Sequence, residues 1–144
     1  MIRTVQTEII TETIKKMCIE ANYSLSSDMV KAMRKAEEKE ESVLGKQILA
    51  QLQDNLEIAA SDMIPICQDT GMAVVFLEVG QDVHFEGGSF EDAVNEGVRR
   101  GYTEGFLRKS VVGDPILREN TKDNTPAVIH TRIVEGDRVK ITVA

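Results

Sequence analysis

Pro65-Ile66-Cys67-Gln68-Asp69-Thr70-Gly71, running into Met72-Ala73-Val74-Val75-Phe76-Leu77-Glu78-Val79, divides the chain into two kinds of sequence. Residues 1–64 before it read as helix, and the run after it reads as strand. Pro65 lacks a backbone donor and disfavours helical geometry in the residue before it, so the helical region ends there. Gly71 tolerates positive φ and allows a sharp turn into the strand. Between them stand a thiol, an amide, a carboxylate and a hydroxyl at consecutive positions. Reactive side chains crowded on a loop between rigid elements are a common way to build a site.

Upstream, Ile10, Ile14, Met17, Cys18 and Ala21 recur at helical spacing and predict an amphipathic helix over residues 3–22. Cys18 lies on its apolar face and reads as a small core hydrophobe. Ser24, Ser26, Ser27 and Asp28 offer N-caps for a second helix carrying Met29, Met33 and Ala36. Glu37-Glu38-Lys39-Glu40-Glu41 is its solvated end. Ser42 caps a third helix with the stripe Ile48, Leu52, Leu56 and Ala59, broadened by Leu49 and Ala60. These three helices are expected to pack on one another.

Downstream, Met72–Val79 is nearly all apolar, as for a strand buried on both faces. Gly80-Gln81-Asp82 and Gly87-Gly88 punctuate a short connection through Val83-His84-Phe85, with His84 a surface residue beside a turn. Ser89 caps a further helix, with Glu91 and Asp92 in its first turn. Phe90, Val94, Gly97, Val98, Gly101 and Tyr102 line one face of that helix. Glycines at 97, 101 and 105 cost helix stability and call for close approach of a neighbouring backbone. Arg99, Arg100, Arg108 and Lys109 gather towards its end, either to complement the helix dipole or to bind an anion. Thr125-Pro126 forces extended backbone before the last elements. Ala127–Val134 alternates, Glu135-Gly136-Asp137 signals a hairpin turn, and Val139, Ile141 and Val143 mark the return strand. His130 falls on the more polar face of its strand and needs no special role. The expected fold is α+β: an N-terminal helical cluster (1–64), then a mixed α/β region (65–144). That second region has a central strand after the Cys67 loop, one further helix and a C-terminal β-hairpin.

A chain of 144 residues is the size of one domain. Its net charge of −7 disfavours nucleic acid, which requires clustered Lys and Arg, but leaves room for a small anionic substrate. There is no apolar run long enough to span a membrane and no signal-peptide core at the N-terminus, so the cytoplasm is the expected compartment. Two cysteines are too few for a disulfide framework. Taken alone, Cys67 beside Asp69 fits three chemistries. A thiolate is a soft ligand for iron or zinc, with other ligands supplied from elsewhere. A nucleophilic cysteine requires a histidine partner, for which His84 and His130 have no diagnostic context. Asp69-Thr70-Gly71 is also the tripeptide of aspartic proteases, but those are all-β proteins.

Pro65–Ala73 resembles the cluster-binding segment of the iron–sulfur (class I) fumarases. Phe106-Leu107-Arg108-Lys109-Ser110, Asn120-Thr121-Lys122-Asp123-Asn124-Thr125-Pro126-Ala127 and the closing strands are similar to the same family, in the same order. The form it resembles is the α subunit, or α-type catalytic domain, with L-tartrate dehydratase α subunits as near relatives. The resemblance implies a fumarate hydratase of the tricarboxylic acid cycle using a [4Fe–4S] cluster held by three cysteines. Cys67 is one of those three ligands, and the other two have no counterpart in this chain. It further implies that Gln68 and Asp69 face the substrate, that Asp69 belongs to the acid–base apparatus, and that Arg108 contacts a substrate carboxylate. A dicarboxylate substrate, a β subunit or β-type domain and an oligomeric assembly follow from the same likeness. Because the chain stops at Ala144 in mid-strand, it is expected to be the N-terminal part of a longer protein and inactive alone; the alternatives are an L-tartrate dehydratase α subunit and a non-catalytic fragment that only associates with its partner. The intact mass of the natural gene product is therefore predicted to exceed 16.0 kDa; a match to that mass would sink the idea.

Overall fold

The computed structural model describes residues 2–67 and 71–144. In chain order the elements are β1 (Arg3–Gln6), α1 (Thr7–Tyr23), α2 (Ser27–Lys39), α3 (Val43–Asp62), β2 (Val74–Gly80), β3 (Val83–Glu86), α4 (Phe90–Glu104), β4 (Val128–Val134) and β5 (Val139–Val143). They form an α+β structure of two compact units. The first comprises Met1–Ile19 and Asp69–Ala144, and the second Glu20–Gln68.

The first unit contains both sheets. β1 runs parallel to β3, with Arg3 opposite Val83 and Val5 opposite Phe85. Both strands escaped the sequence reading. Helical spacing joins Arg3–Gln6 to the helix after it, and the flanking glycines make Val83–Glu86 read as a connection. Each is only four residues long, too short for periodicity to separate it from its neighbour. In the other sheet β2 lies between β4 and β5. It pairs parallel with β4, Val75 facing Ile129, and antiparallel with β5, Leu77 facing Ile141.

The expected C-terminal hairpin is therefore corrected. β4 and β5 are consecutive and joined by a turn, but neither pairs with the other, because β2 occupies the place between them. The connection is held at the end of β2 by the Gly80 N–H on the Arg138 carbonyl (2.8 Å), the Gln81 N–H on Val134 (2.9 Å) and the Asp82 N–H on Gly136 (3.0 Å). A Cβ at Gly80 would collide with the Gly136 carbonyl, so only glycine fits beneath the crossing.

β2 is also not buried on both faces. Val75, Leu77 and Val79 are buried, while Phe76 on the opposite face is 46% exposed. There Phe76 stacks on His130 with ring centroids 5.2 Å apart. The apolar residues on both sides reflect this aromatic pair as well as the core.

α1 and α4 pack through the glycines anticipated for close approach. A Cβ at Gly97 would sit 2.7 Å from the Thr11 carbonyl oxygen, and one at Gly101 would sit 2.8 Å from the Cys18 Cβ. The Thr11 hydroxyl donates to the Ala93 carbonyl at 2.9 Å across the same contact. Ile14, Val94 and Val98 are wholly buried. Arg100 clips the outer side, reaching Glu8 (2.6 Å), Glu12 (2.7 Å) and Glu96 (2.7 Å). The Ser89 hydroxyl caps α4 by accepting from the Asp92 N–H.

In the second unit α2 and α3 lie side by side, with Ser42 capping α3 through the Gly45 N–H. The stripe expected to drive packing is largely on the surface: Ile48 is 48% and Leu52 44% exposed, and within α3 only Ala59 is buried. Polar contacts carry part of the pairing, including the Gln53 amide on the Glu37 carboxylate.

Cys18 is 1% exposed, and burial pushes its thiol from the ordinary 9.0 up to about 11. The folded state then retains a proton that the unfolded chain releases above pH 9, so stability falls as pH rises from 9 to about 11. The whole effect is at most about 3 kcal/mol. In urea titrations Cys18→Ala is expected to lose less stability across that window than the parent; equal losses would contradict the linkage.

Candidate functional site

The loop that opens the site leaves α3 at Met63, whose left-handed φ of 53° ends the helix. The Ile66 N–H donates to the Asn22 carbonyl at 2.8 Å, and Ile66 is buried. One residue on, the Cys67 N–H donates to the Asn55 side-chain oxygen at 3.1 Å. The backbone is thus fixed directly after Pro65, while the Cys67 side chain is exposed and unbridged. The two cysteines are opposites: Cys18 is enclosed in the α1–α4 contact and Cys67 faces solvent. That difference favours ligand or redox chemistry at 67 and a packing role at 18.

Gln68 and Asp69 lie outside the described residues. The chain resumes at Gly71, in the first unit, and runs into β2. Arg108 belongs to the same unit, on the stretch that follows α4. Its backbone is set by neighbours on both sides. The Leu107 N–H returns to the Tyr102 carbonyl at 3.1 Å and Leu107 is buried. The Lys109 carbonyl accepts from the Asn120 amide at 2.9 Å. The Ser110 and Val111 N–H groups both donate to the Asn124 side-chain oxygen, at 2.7 and 3.1 Å. The Arg108 side chain itself is exposed.

The four cations read from the sequence therefore separate. Arg100 is taken up by three carboxylates, and Arg99 lies between Glu96 (2.5 Å) and Asp123 (3.8 Å). Burial alone would raise the Asp123 carboxyl. The Thr125 N–H and hydroxyl, the Thr121 hydroxyl and Arg99 outweigh it and hold the group below its ordinary range. These pairs structure the segment rather than present charge to a ligand. His84 and His130 are exposed, as read from the sequence.

Within the first unit, then, Gly71 and the Arg108 loop are brought together through Asn124, which donates to the Gly71 carbonyl at 3.2 Å. Cys67 is placed in the second unit by its own contacts. Among the described residues no three His, Cys, Asp or Glu side chains gather in metal-binding geometry. The residues that sequence reasoning missed are Asn55, Asn120 and Asn124. Their signal was the density of Asn, Asp and Thr between 120 and 125, side chains suited to satisfying loop backbone.

Residues 11–144 match the family model described as Fumarate hydratase (Fumerase). The chain is 34% identical over 116 residues to the putative L(+)-tartrate dehydratase subunit alpha of Methanocaldococcus jannaschii, covering 80% of this chain and 40% of that protein. It is 39% identical over 97 residues to the anaerobic class I fumarate hydratase of Escherichia coli, covering 66% of this chain and 18% of the relative. Against the L(+)-tartrate dehydratase subunit alpha of Escherichia coli UTI89 it is 25% identical over 137 residues, with 93% and 45% coverage. The chain spans less than half the length of each of these relatives.

The contrast between the two thiols is directly measurable. At pH 8 a small alkylating reagent is expected to modify Cys67 promptly and Cys18 only on unfolding. Cys67→Ser should abolish the prompt phase, and two equally fast thiols in the parent would refute the placement.

Proposed function

The chain belongs to the fumarate hydratase family, and on that footing we propose that it is the N-terminal part of an α-type hydro-lyase catalytic domain that reversibly hydrates fumarate to L-malate. The observation that supports this reading is a family match over residues 11–144, a range that includes both Cys67 and Arg108. A [4Fe–4S] cluster is the implied cofactor. The residues present fit a one-thiolate share of it: Cys67 is exposed and unbridged on an anchored backbone. Cys18 is enclosed and held as a neutral thiol. Two further cysteine ligands come from outside this chain.

When bound, the cluster supplies an iron that acts as a Lewis acid towards the substrate hydroxyl and one carboxylate. The chain's own residues do the rest. Arg108 offers a planar fork of donors that matches the remaining carboxylate of a dicarboxylate. Asp69 removes the proton α to that carboxylate from malate and returns it in the hydration direction. Gln68 contacts the substrate beside it. A β subunit or β-type domain completes the site, and the assembly is cytoplasmic and oligomeric. Among the described residues no helix is long and apolar enough to cross a membrane.

L-Tartrate dehydration is the second reading, favoured by the 34% identity to a protein named as a tartrate dehydratase α subunit. Both reactions eliminate water from a hydroxy-dicarboxylate and use the same residues.

Anaerobic iron and sulfide analysis, followed by assay of fumarate, malate and L-tartrate, tests the proposal. Four irons and turnover are expected in the complete enzyme, and neither in residues 1–144 alone. Asp69→Asn should keep the iron and lower kcat by roughly 10²–10⁴-fold. Cys67→Ser should lose iron. A stable cluster on residues 1–144 would contradict the ligand count, and full turnover in Asp69→Asn would remove Asp69 from the acid–base role.

A further inference from the structure

Asn124 is wholly buried and sits at a left-handed φ of 63°, a conformation that Asn and Asp tolerate better than other side chains with a Cβ. Its amide oxygen accepts from the Ser110 N–H at 2.7 Å and from the Val111 N–H at 3.1 Å. The amide nitrogen donates to the Gly71 carbonyl at 3.2 Å.

These three bonds join segments that are far apart in sequence. Gly71 follows Thr70 directly and lies two positions after Asp69. Ser110 lies two positions after Arg108. The surrounding loop is fixed independently of Gly71. The Asp123 carboxylate accepts from the Thr125 N–H at 3.0 Å and its hydroxyl at 2.8 Å. The Ala127 N–H donates to the Asn95 side-chain oxygen at 2.9 Å, and the Thr121 N–H to the Val111 carbonyl at 3.0 Å. Asn124 is thus held on a braced loop, and its amide reaches the backbone on both sides.

We propose that Asn124 is a positioning residue: its amide fixes the separation between the Arg108 loop and the backbone at Gly71. This rests on the hydro-lyase reading, in which Arg108 binds a substrate carboxylate and Asp69 moves the proton. Asn124 does neither. It holds the Arg108 loop against the backbone at Gly71, two positions after Asp69 in sequence. A displacement of about 1 Å between groups acting on one substrate costs on the order of 10²-fold in rate.

The two ends of the amide can be separated by substitution. In Asn124→Asp the carboxylate still accepts from Ser110 and Val111 and tolerates the same φ, but it cannot donate to the Gly71 carbonyl. In Asn124→Ala both ends are lost. In the complete enzyme, Asn124→Asp is expected to keep KM for the dicarboxylate within about threefold and to lower kcat by roughly 10–100-fold. Asn124→Ala should raise KM as well. Hydrogen exchange is the readout independent of turnover. Ser110 and Val111 amides should exchange at least about tenfold faster in Asn124→Ala and near the parental rate in Asn124→Asp.

Parental kcat and KM in Asn124→Asp would overturn the positioning role, as would unchanged exchange at Ser110 and Val111 in Asn124→Ala. A parent enzyme that hydrates no dicarboxylate would overturn the functional reading and the catalytic role with it. The exchange rates would then decide the clasp alone.

Discussion

β2 is the strand on which the first unit depends. It takes hydrogen bonds from both sides, parallel to β4 and antiparallel to β5, and one of its faces supplies Val75, Leu77 and Val79 to the core of the unit. A one-residue slip would turn Val75, Leu77 and Val79 outward and Phe76 inward, so burial fixes its register. That register also locates Gly71, three positions upstream. The crossing at Gly80 secures the other end, where the backbone between β4 and β5 comes too close for any Cβ. The strand is clamped at both ends and by both neighbours. This is the kind of rigid support on which a precise loop can be built.

The glycine-faced contact between α1 and α4 does related work. Each glycine costs about 1 kcal/mol of helix propensity, and the return is a backbone approach close enough for Thr11 to reach the Ala93 carbonyl. α4 then delivers the chain, through Leu107, to Arg108. Helix packing and loop geometry are two parts of one mechanical chain.

Much of this was legible in the residues. The caps at Ser42 and Ser89, the core role of Cys18 and the glycine face of α4 all follow from local chemistry, and the structure has them. Strand pairing was not legible, because alternation tells which residues share a face but not which strand lies beside them. Val139, Ile141 and Val143 read equally well as the partner of β4 or of β2. The exposed stripe of α3 shows the same limit from another side: helical spacing predicts a face, not what covers it. Asn124 was hidden for a different reason. Its importance lies in a hydrogen-bonded span of more than fifty positions to Gly71, and no local pattern encodes a contact at that separation. The likeness to a known family drew attention to Cys67, Gln68, Asp69 and Arg108. It did not say what holds their backbone.

The first unit is discontinuous: its opening strand and helix are separated from the rest by residues 20–68. During synthesis α1 therefore leaves the ribosome long before its packing partner exists. About 80 residues separate the end of α1 from the end of α4, which at ordinary elongation rates is a wait of roughly 4–16 s. For that interval the side of α1 that carries Ile10, Ile14 and Cys18 has no glycine face to meet. The nascent chain must keep an apolar helix soluble, or hand it to a chaperone, until residue 104 has emerged.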